Sequence, residues 1–381
     1  MLYFDYAANT PVDAEVLSVF IDETKKIYGN ANSHHQCGRE ANQHMVEMTK
    51  EIAKLLSVKP NEIIYTSGAS ESNNLAIKGV AKINRNQGKH IVSTYLEHSS
   101  VSAALTALQN DGYEIDLVDI ERNGRVDLEH LEELIRKDTV LVSVCYVDSE
   151  LGVVQPIKEI AELVKKFQNC KLHVDATQAI GKIPVDLEGI DLCSFAPHKF
   201  FGLNGCGVLI RKEDTIIEPM IHGGVSTTMY RSGTPAPGMT ASILMALKKA
   251  LKEQHSRYES VKACNEKIRK ALEKYPLVRI NSPEEAMPFI LNASVKGIKA
   301  GVFQEALDKH GVCISTKSAC SVPNIPSRPV FAVSRDKKNA MSSWRLSFSH
   351  LTTDEEVEQF LKIFDTCYNE LTNEQATDRR R

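Results

Sequence analysis

A lysine set between aromatic and small residues, in "SFAPHKFFG" (194–202), is the sharpest chemical signal in the chain. Lys199 follows an apolar run that reads as a strand. Such surroundings desolvate an amine, lower its pKa and suit it to Schiff-base formation. Asp175 in "HVDATQ" (173–178) ends another apolar run. A carboxylate there is costly unless it faces a cation or a protonated ring nitrogen; the plainer alternative is an N-cap for the next short helix. "TSGASES" (66–72) joins a strand to a helix. Gly68 frees the backbone there, and Ser67, Ser70 and the helix amides can cradle a phosphate, although Ser followed by Glu is also ordinary capping chemistry. His98 in "EHSS" (97–100) follows a further strand and can stack on a planar ligand or cap a helix. The alternation of "WRLSFS" (344–349) puts Arg345 opposite Trp344 and Leu346. Its guanidinium can fork onto a carboxylate or make a structural ion pair. Cys320, in "STKSACS" (315–321), is a thiol among small polar residues, with Cys313 its closest cysteine.

Taken together, these parts match the needs of one cofactor, pyridoxal phosphate: an anchor for its phosphate, a partner for its ring nitrogen, a Schiff-base lysine and a clamp for the substrate carboxylate. With its nitrogen kept protonated by the aspartate, the ring accepts electrons when a bond at the substrate Cα breaks.

The elements that must position these residues follow a regular rhythm. Strand candidates at 63–66, 90–94, 114–118, 139–147, 171–175, 191–196 and 206–210 alternate with helical stretches at 38–57, 71–87, 99–110, 127–136 and 157–168. That alternation predicts an α/β fold with a mostly parallel sheet covered on both faces, ligands lying beyond the carboxyl ends of its strands. The rhythm changes after the Gly/Pro-rich "YRSGTPAPG" (230–238); a long helical pattern over 240–275 leads to a mixture of strands (288–295, 312–314, 344–348) and helices (300–310, 353–371). The expected organisation is a large cofactor-binding domain of residues 12–250 and a smaller α+β domain of residues 1–11 plus 251–381.

Composition narrows the function classes. The formal net charge of −3 from 46 basic and 49 acidic residues gives no reason to propose a nucleic-acid or membrane-surface partner. No run approaches the roughly 18 apolar residues of a membrane span, and "MLYFDYAANTP" lacks a signal-peptide pattern. Nine cysteines without a C-x-x-C pair argue against a disulfide framework and for a reducing, cytoplasmic setting. No resident metal is expected.

The order and wording of the motifs resemble the class V aminotransferase superfamily, and within it the cysteine desulfurases of the NifS/IscS kind. The likeness runs through "YFDYAANTP", "YGNANS", "TSGASESNNLAIKG", "EH", "ELGVVQPI", "HVDATQ", "HK", "RSGT", "SACS" and "WRLSFS". It implies an aspartate aminotransferase-like, fold-type I homodimer with active sites at the subunit interface. Lys199 would hold pyridoxal phosphate, Asp175 would pair with its ring nitrogen, Gln178 would bond its ring hydroxyl and His98 would stack on it. Ala69, Ser70 and His198 would hold the phosphate, with Thr234 reaching in from the other subunit. Arg345 would bind the carboxylate of L-cysteine, with Asp148 and Asn30 also on the substrate side. Cys320 would be the nucleophile that takes the sulfur as a persulfide, releases alanine and hands the sulfur to an acceptor protein, an iron–sulfur scaffold or a thiolation enzyme. Lys199, His98 and Cys320 would thus be the catalytic residues. The 25 positions from Cys320 to Arg345 resemble the long-loop, IscS-like group. Competing readings are a related lyase or aminotransferase acting on another amino acid, such as selenocysteine, and a homologue that binds partners without turnover.

Three positions depart from the family pattern. Asp148 stands where an asparagine helps bind the substrate carboxylate, Ala196 stands where a serine contacts the phosphate, and "HGGVSTTMY" precedes "RSGT" in place of the usual stretch. An ionised Asp148 would repel a substrate carboxylate unless protonated, paired or turned away. Asp148→Asn is therefore expected to preserve or raise turnover of cysteine, measured as alanine released.

Overall fold

Neighbouring apolar residues such as Ile63-Ile64, Ile91-Val92 and Leu141-Val142 point to opposite faces of a strand, so both faces must be covered. The computed structural model meets that demand: the first member of some pairs and the second of others enter one hydrophobic cluster, and their neighbours enter another. It describes residues 1–317 and 325–378, with side chains as far as Asn373 in the final helix. In chain order the first elements are β1 (Leu2–Tyr3), α1 (Ala14–Lys26), α2 (Gln36–Leu55), β2 (Ile63–Thr66), α3 (Ala69–Ile83), β3 (His90–Thr94) and α4 (Ser99–Asn110). Then come β4 (Glu114–Val118), α5 (Leu128–Leu134), β5 (Thr139–Cys145), α6 (Ile157–Val164), β6 (Lys171–Asp175), β7 (Leu192–Phe195) and β8 (Gly207–Arg211). The remainder comprises α7 (Pro237–Lys252), α8 (Gln254–Leu272), β9 (Val278–Ile280), β10 (Ile290–Val295), α9 (Ala300–Lys309), β11 (Val312–Cys313), α10 (Arg328–Ser334), α11 (Lys337–Met341), β12 (Ser343–Ser347) and α12 (Asp354–Asp378).

The architecture is α/β, built on a mixed, mostly parallel seven-stranded sheet of order β2-β8-β7-β6-β5-β3-β4. Strands β4, β3, β5, β6 and β7 run parallel, and β8 is antiparallel to both of its neighbours. Helix α3 crosses β5–β8 on one face, burying Leu75, Ile77 and Val80 with Val101 and Leu105 of α4. A second, antiparallel sheet has the order β12-β10-β9. The alternation expected of "WRLSFS" holds there. Trp344 stacks on Phe303 at 5.4 Å and packs against Phe364 at 5.9 Å, while Arg345 leaves by the other face to line a cavity beyond the large sheet.

The first thirteen residues tie the two sheets together. β1 pairs with β11 in parallel, the Ser347 amide donates to Phe4 O at 2.8 Å, and the Thr10 and Asp13 amides donate to His198 O and Phe201 O at 3.1 and 3.0 Å.

Some elements differ from expectation. The helical pattern over 240–275 is two helices, α7 and α8, which meet at Glu253 (φ −101°, ψ 5°). Helix α1, opened by Asp13 accepting from the amides of Glu15 and Val16, was not anticipated, nor were β9, α10 and α11. Phe364 is fully buried within 5.0–5.9 Å of Tyr275, Phe303, Phe360 and Trp344. Truncation to Phe364→Ala is expected to cost about 3–5 kcal/mol, read as a lower urea midpoint.

Candidate active site

Because β3, β5, β6 and β7 are parallel, their carboxyl ends open on one side and carry Thr94, Cys145, Asp175 and Phe195 to a common rim. A cavity of about 360 Å³ lies there, lined among others by Lys199, Asp175, Gln178, His98, His198 and Arg345. Six residues from four separate stretches of the sequence therefore meet in one place.

Lys199 ends a short 3-10 turn, Pro197–Lys199, that follows β7. Its Nζ donates to the carbonyl oxygens of Ala7 and Ala8 at 2.9 and 2.6 Å. Asp175 is buried: one carboxylate oxygen accepts from Asn73 Nδ2 at 2.8 Å and the other from the Thr177 amide at 3.0 Å. Asn73 also donates to Ser100 Oγ at 2.9 Å, which lies 2.9 Å from His98 Nδ1. The carboxylate and the imidazole thus belong to one buried network. Burial lowers the pKa of His98, helped by Lys199, Arg345 and Arg328 and opposed by Asp175. His198 falls to about 4, chiefly through burial and then through Lys199 and Lys182, so its imidazole is neutral at pH 7. Gln178 donates from Nε2 to Ala7 O at 2.9 Å.

The opposite wall is the start of α3. Its N-cap, Gly68, makes no side-chain cap hydrogen bond, and Gly68, Ala69 and Ser70 line the cavity, which leaves the donor capacity of a helix start beside it. Gly207 permits this close turn, since a Cβ on it would lie 2.6 Å from Gly68 Cα. Thr66 Oγ1 braces the loop through Ser72 Oγ at 2.8 Å and Gly68 O at 3.1 Å. An anion is the natural ligand of such a helix end.

Arg345 is 1% exposed. Its Nη2 pairs with Asp5 Oδ1 at 2.8 Å and its Nη1 donates to Ser149 O at 2.8 Å. Nε has no hydrogen-bond partner among the described residues. The structural ion pair is therefore present, and the same guanidinium still faces the cavity.

Two expected substrate-side residues lie elsewhere. Asp148 does not line the cavity; Ser149 does. The Asp148 carboxylate is turned into its own tight turn, accepting from the amides of Glu150, at 3.2 Å, and Leu151. Burial, reinforced by Glu150, pushes its pKa up to about 7, against the pull of those amides and of Arg345. Asn30 is exposed and caps a turn, accepting from the Asn32 amide at 2.9 Å. Thr234 is exposed and lines no part of this cavity. Cys320 lies outside the described residues.

Residues 2–360 match the family model described as Aminotransferase class-V. The chain belongs to the class-V aminotransferase family. A class-V relative described as a NifS/IcsS protein homolog, from Lactobacillus delbrueckii subsp. bulgaricus, is 36% identical over 374 residues, covering 97% of each chain. The cysteine desulfurase IscS of Dictyoglomus turgidum is 34% identical over 375 residues, covering 97% of this chain and 95% of its own. A solved structure, a NifS-like protein, superposes with a TM-score of 0.90 at 34% identity over 97% of this chain and 99% of its own.

Several groups in or behind this class-V pocket were not singled out in the sequence. The carbonyls of Ala7 and Ala8 are backbone groups that no residue type announces. Asn73 stands seven positions after the strand end at Thr66 and becomes visible only when α3 folds over β6. Glu97, next to His98, was legible only as a member of the pair "EH". Its Oε1 accepts from Thr94 Oγ1 and the Cys145 amide, both at 2.8 Å. Burial pushes its pKa up to about 8, with Asp175 adding to the rise and those two hydrogen bonds opposing it.

That shift fixes a pH dependence. Above the ordinary value of 4.5 the unfolded chain ionises Glu97, while the folded protein keeps it protonated up to about 8. Folding then takes up a proton, so this group's contribution to stability declines as pH rises through that window. Glu97→Gln keeps the Oε1 acceptor and cannot ionise. Relative to the wild type, its urea midpoint is expected to show no gain at pH 4.5, a gain that grows with pH, and a plateau above pH 8.

Proposed function

We propose that this chain is a pyridoxal-phosphate-dependent cysteine desulfurase, converting L-cysteine to L-alanine and retaining the sulfur as a persulfide on Cys320. The observation that carries this reading is a single cavity lined by Lys199, Asp175, Gln178, His98 and the uncapped start of α3. It lies in a family member whose relative at 34% identity bears the desulfurase name.

The residues present fit the cofactor. Bound there, pyridoxal phosphate supplies an electron sink for bonds at the substrate α-carbon. The α3 amides at Ala69 and Ser70, with His198, would hold the phosphate, and Thr234 of a second copy would complete the anchor. Asp175 would keep the ring nitrogen protonated, Gln178 would donate to the ring hydroxyl and His98 would stack on the ring. Lys199 would hold the cofactor covalently, and its Nζ, when free, would carry the α-proton. Arg345 receives the substrate carboxylate. The Cys320 thiolate then attacks the substrate sulfur. An S–S bond forms, the C–S bond breaks, its electron pair remains with the substrate β-carbon, and a proton completes alanine. A nucleophile on an acceptor protein, such as an iron–sulfur scaffold or a thiolation enzyme, takes the outer sulfur and restores the thiol.

The same proposal divides the chain into a cofactor-carrying unit of residues 12–250 and a second unit of 1–11 plus 251–381; the β1–β11 pairing supports it. A homodimer is supported by the apolar side chains left exposed before Thr234, Ile216 at 62%, Val225 at 79% and Met229 at 70%. A reducing, cytoplasmic setting is supported by the eight free cysteines among the described residues. Among those residues no helix is long and apolar enough to cross a membrane.

Incubation of the cofactor-loaded protein with L-cysteine and a reductant is expected to yield alanine and sulfide in equal amounts. Cys320→Ser is expected to lower both by ~100-fold or more while keeping the visible absorbance of the bound cofactor. Unchanged sulfide release from that variant favours a lyase, and absence of alanine from the loaded wild type rejects the desulfurase.

A further inference from the structure

Behind the cavity sits a second buried amine with no part in the chemistry above. Lys182 is 7% exposed and follows a turn that only glycine permits. Gly181 has φ +79°, and a Cβ there would stand 2.9 Å from Phe200 Cβ and 3.0 Å from Ala250 Cβ. The turn sends the Lys182 side chain back to the residue four positions earlier. Its Nζ donates to Gln178 Oε1 at 2.6 Å. Gln178 Nε2 donates to Ala7 O at 2.9 Å, and Lys199 Nζ donates to that same oxygen at 2.9 Å. A continuous chain of hydrogen bonds therefore runs from Lys182 through Gln178 and Ala7 to Lys199.

Among the described residues, no carboxylate forms an ion pair with Lys182. Lys199 and Arg345 are the charged groups that act on it, and the small cavity that it shares with Lys199 is lined also by Tyr6, Arg257, Phe289 and His350. Burial first, and those two cations second, lower its pKa well below the usual lysine value. A buried amine is costly unless its hydrogen bond does something for the fold or the site. Here it holds one end of a carboxamide whose other end is held by Ala7. With Oε1 bonded to Lys182 and one Nε2 hydrogen bonded to Ala7, Nε2 keeps a second hydrogen to give, on a residue that lines the cavity.

We propose that Lys182 is a positioning residue, fixing the Gln178 carboxamide so that its remaining N–H meets the cofactor's ring oxygen and so lowers the proton affinity of the nitrogen that joins Lys199 to the cofactor. The inference rests on the assignment of pyridoxal phosphate to this cavity. A donor on the ring oxygen competes with the proton on the neighbouring nitrogen for that oxygen, and the nitrogen releases its proton more readily.

The test is a pH titration of the visible absorbance of the cofactor-loaded protein, whose midpoint reports that proton. Lys182→Met, apolar and similar in volume, is expected to raise the midpoint by about one pH unit. Lys182→Gln restores a donor without an amine and is expected to return the midpoint to near the wild-type value; it also serves should Lys182→Met fail to fold. In the Gln178→Ala background, Lys182→Met is expected to add no further shift, since the two act as one unit. An unmoved midpoint in Lys182→Met, a Lys182→Gln midpoint raised by about one unit, or an additive shift in the double variant overturns the relay. A wild-type chain that takes up no pyridoxal phosphate overturns the relay and the cofactor assignment together, which separates the two failures.

Discussion

One backbone oxygen, that of Ala7, accepts hydrogen bonds from both Lys199 and Gln178, and the cavity depends on where it is held. It is held by the amino-terminal segment threaded between the two sheets. Leu2 and Tyr3 pair with β11, the Ala7 amide donates to Ser347 Oγ at 2.9 Å, and Thr10 Oγ1 donates to His198 O at 2.9 Å while accepting from the Phe201 amide at 2.8 Å. The last contact supports an unusual backbone. Phe201 has φ +70°, a left-handed conformation that costs a bulky residue. It is kept by the Thr10 bond and by packing of its ring against His350 at 4.7 Å and Arg257 at 5.1 Å. The turn that aims Lys199 is thereby tied to a segment nearly two hundred residues away.

The electrostatics of the cavity follow from this arrangement. Lys199, Arg345 and the start of α3 make the cavity attractive to anions, while Asp175 favours a cation. His198, held neutral by burial and by Lys199 and Lys182, can both donate and accept near the anion without adding charge. Behind the wall, the 148–152 turn spends the Asp148 carboxyl on its own amides and ties itself to α10, since Glu150 Oε2 accepts from Ser327 Oγ at 2.6 Å. Charge directed at ligand and charge directed at the fold lie on neighbouring residues with different tasks.

Much of this could be read from the sequence. The parallel-sheet rhythm followed from apolar runs at regular spacing, and Lys199, Asp175 and His98 were found because polar residues at strand ends are costly without a task. Other features were hidden for physical reasons. Apolar periodicity continues from 240 to 275 without a glycine or proline at the break, so the division at Glu253 left no local mark. Helix α1 had a legible signal in Asp13 and Glu15, the cap and first turn that the structure uses. The choice between Asp148 and Ser149 at the cavity wall depends on the dihedrals of one turn, which residue types alone do not determine. Lys182 sits in the "HVDATQAIGK" run, and only the return path through Gly181 shows where it points.

The threading of the first thirteen residues also sets an order of events during synthesis. Those residues are made before several of their partners, residues 311–313 and Ser347, which come some three hundred residues later. Most of the seven-stranded sheet can assemble behind them from contacts made along the way. The segment that carries the Ala7 and Ala8 carbonyls gains its full set of anchors only once β11 and β12 have been made. A truncated product that has lost β12 would keep its lysine, aspartate and histidine, yet the segment that aims the lysine would lose its anchor on Ser347.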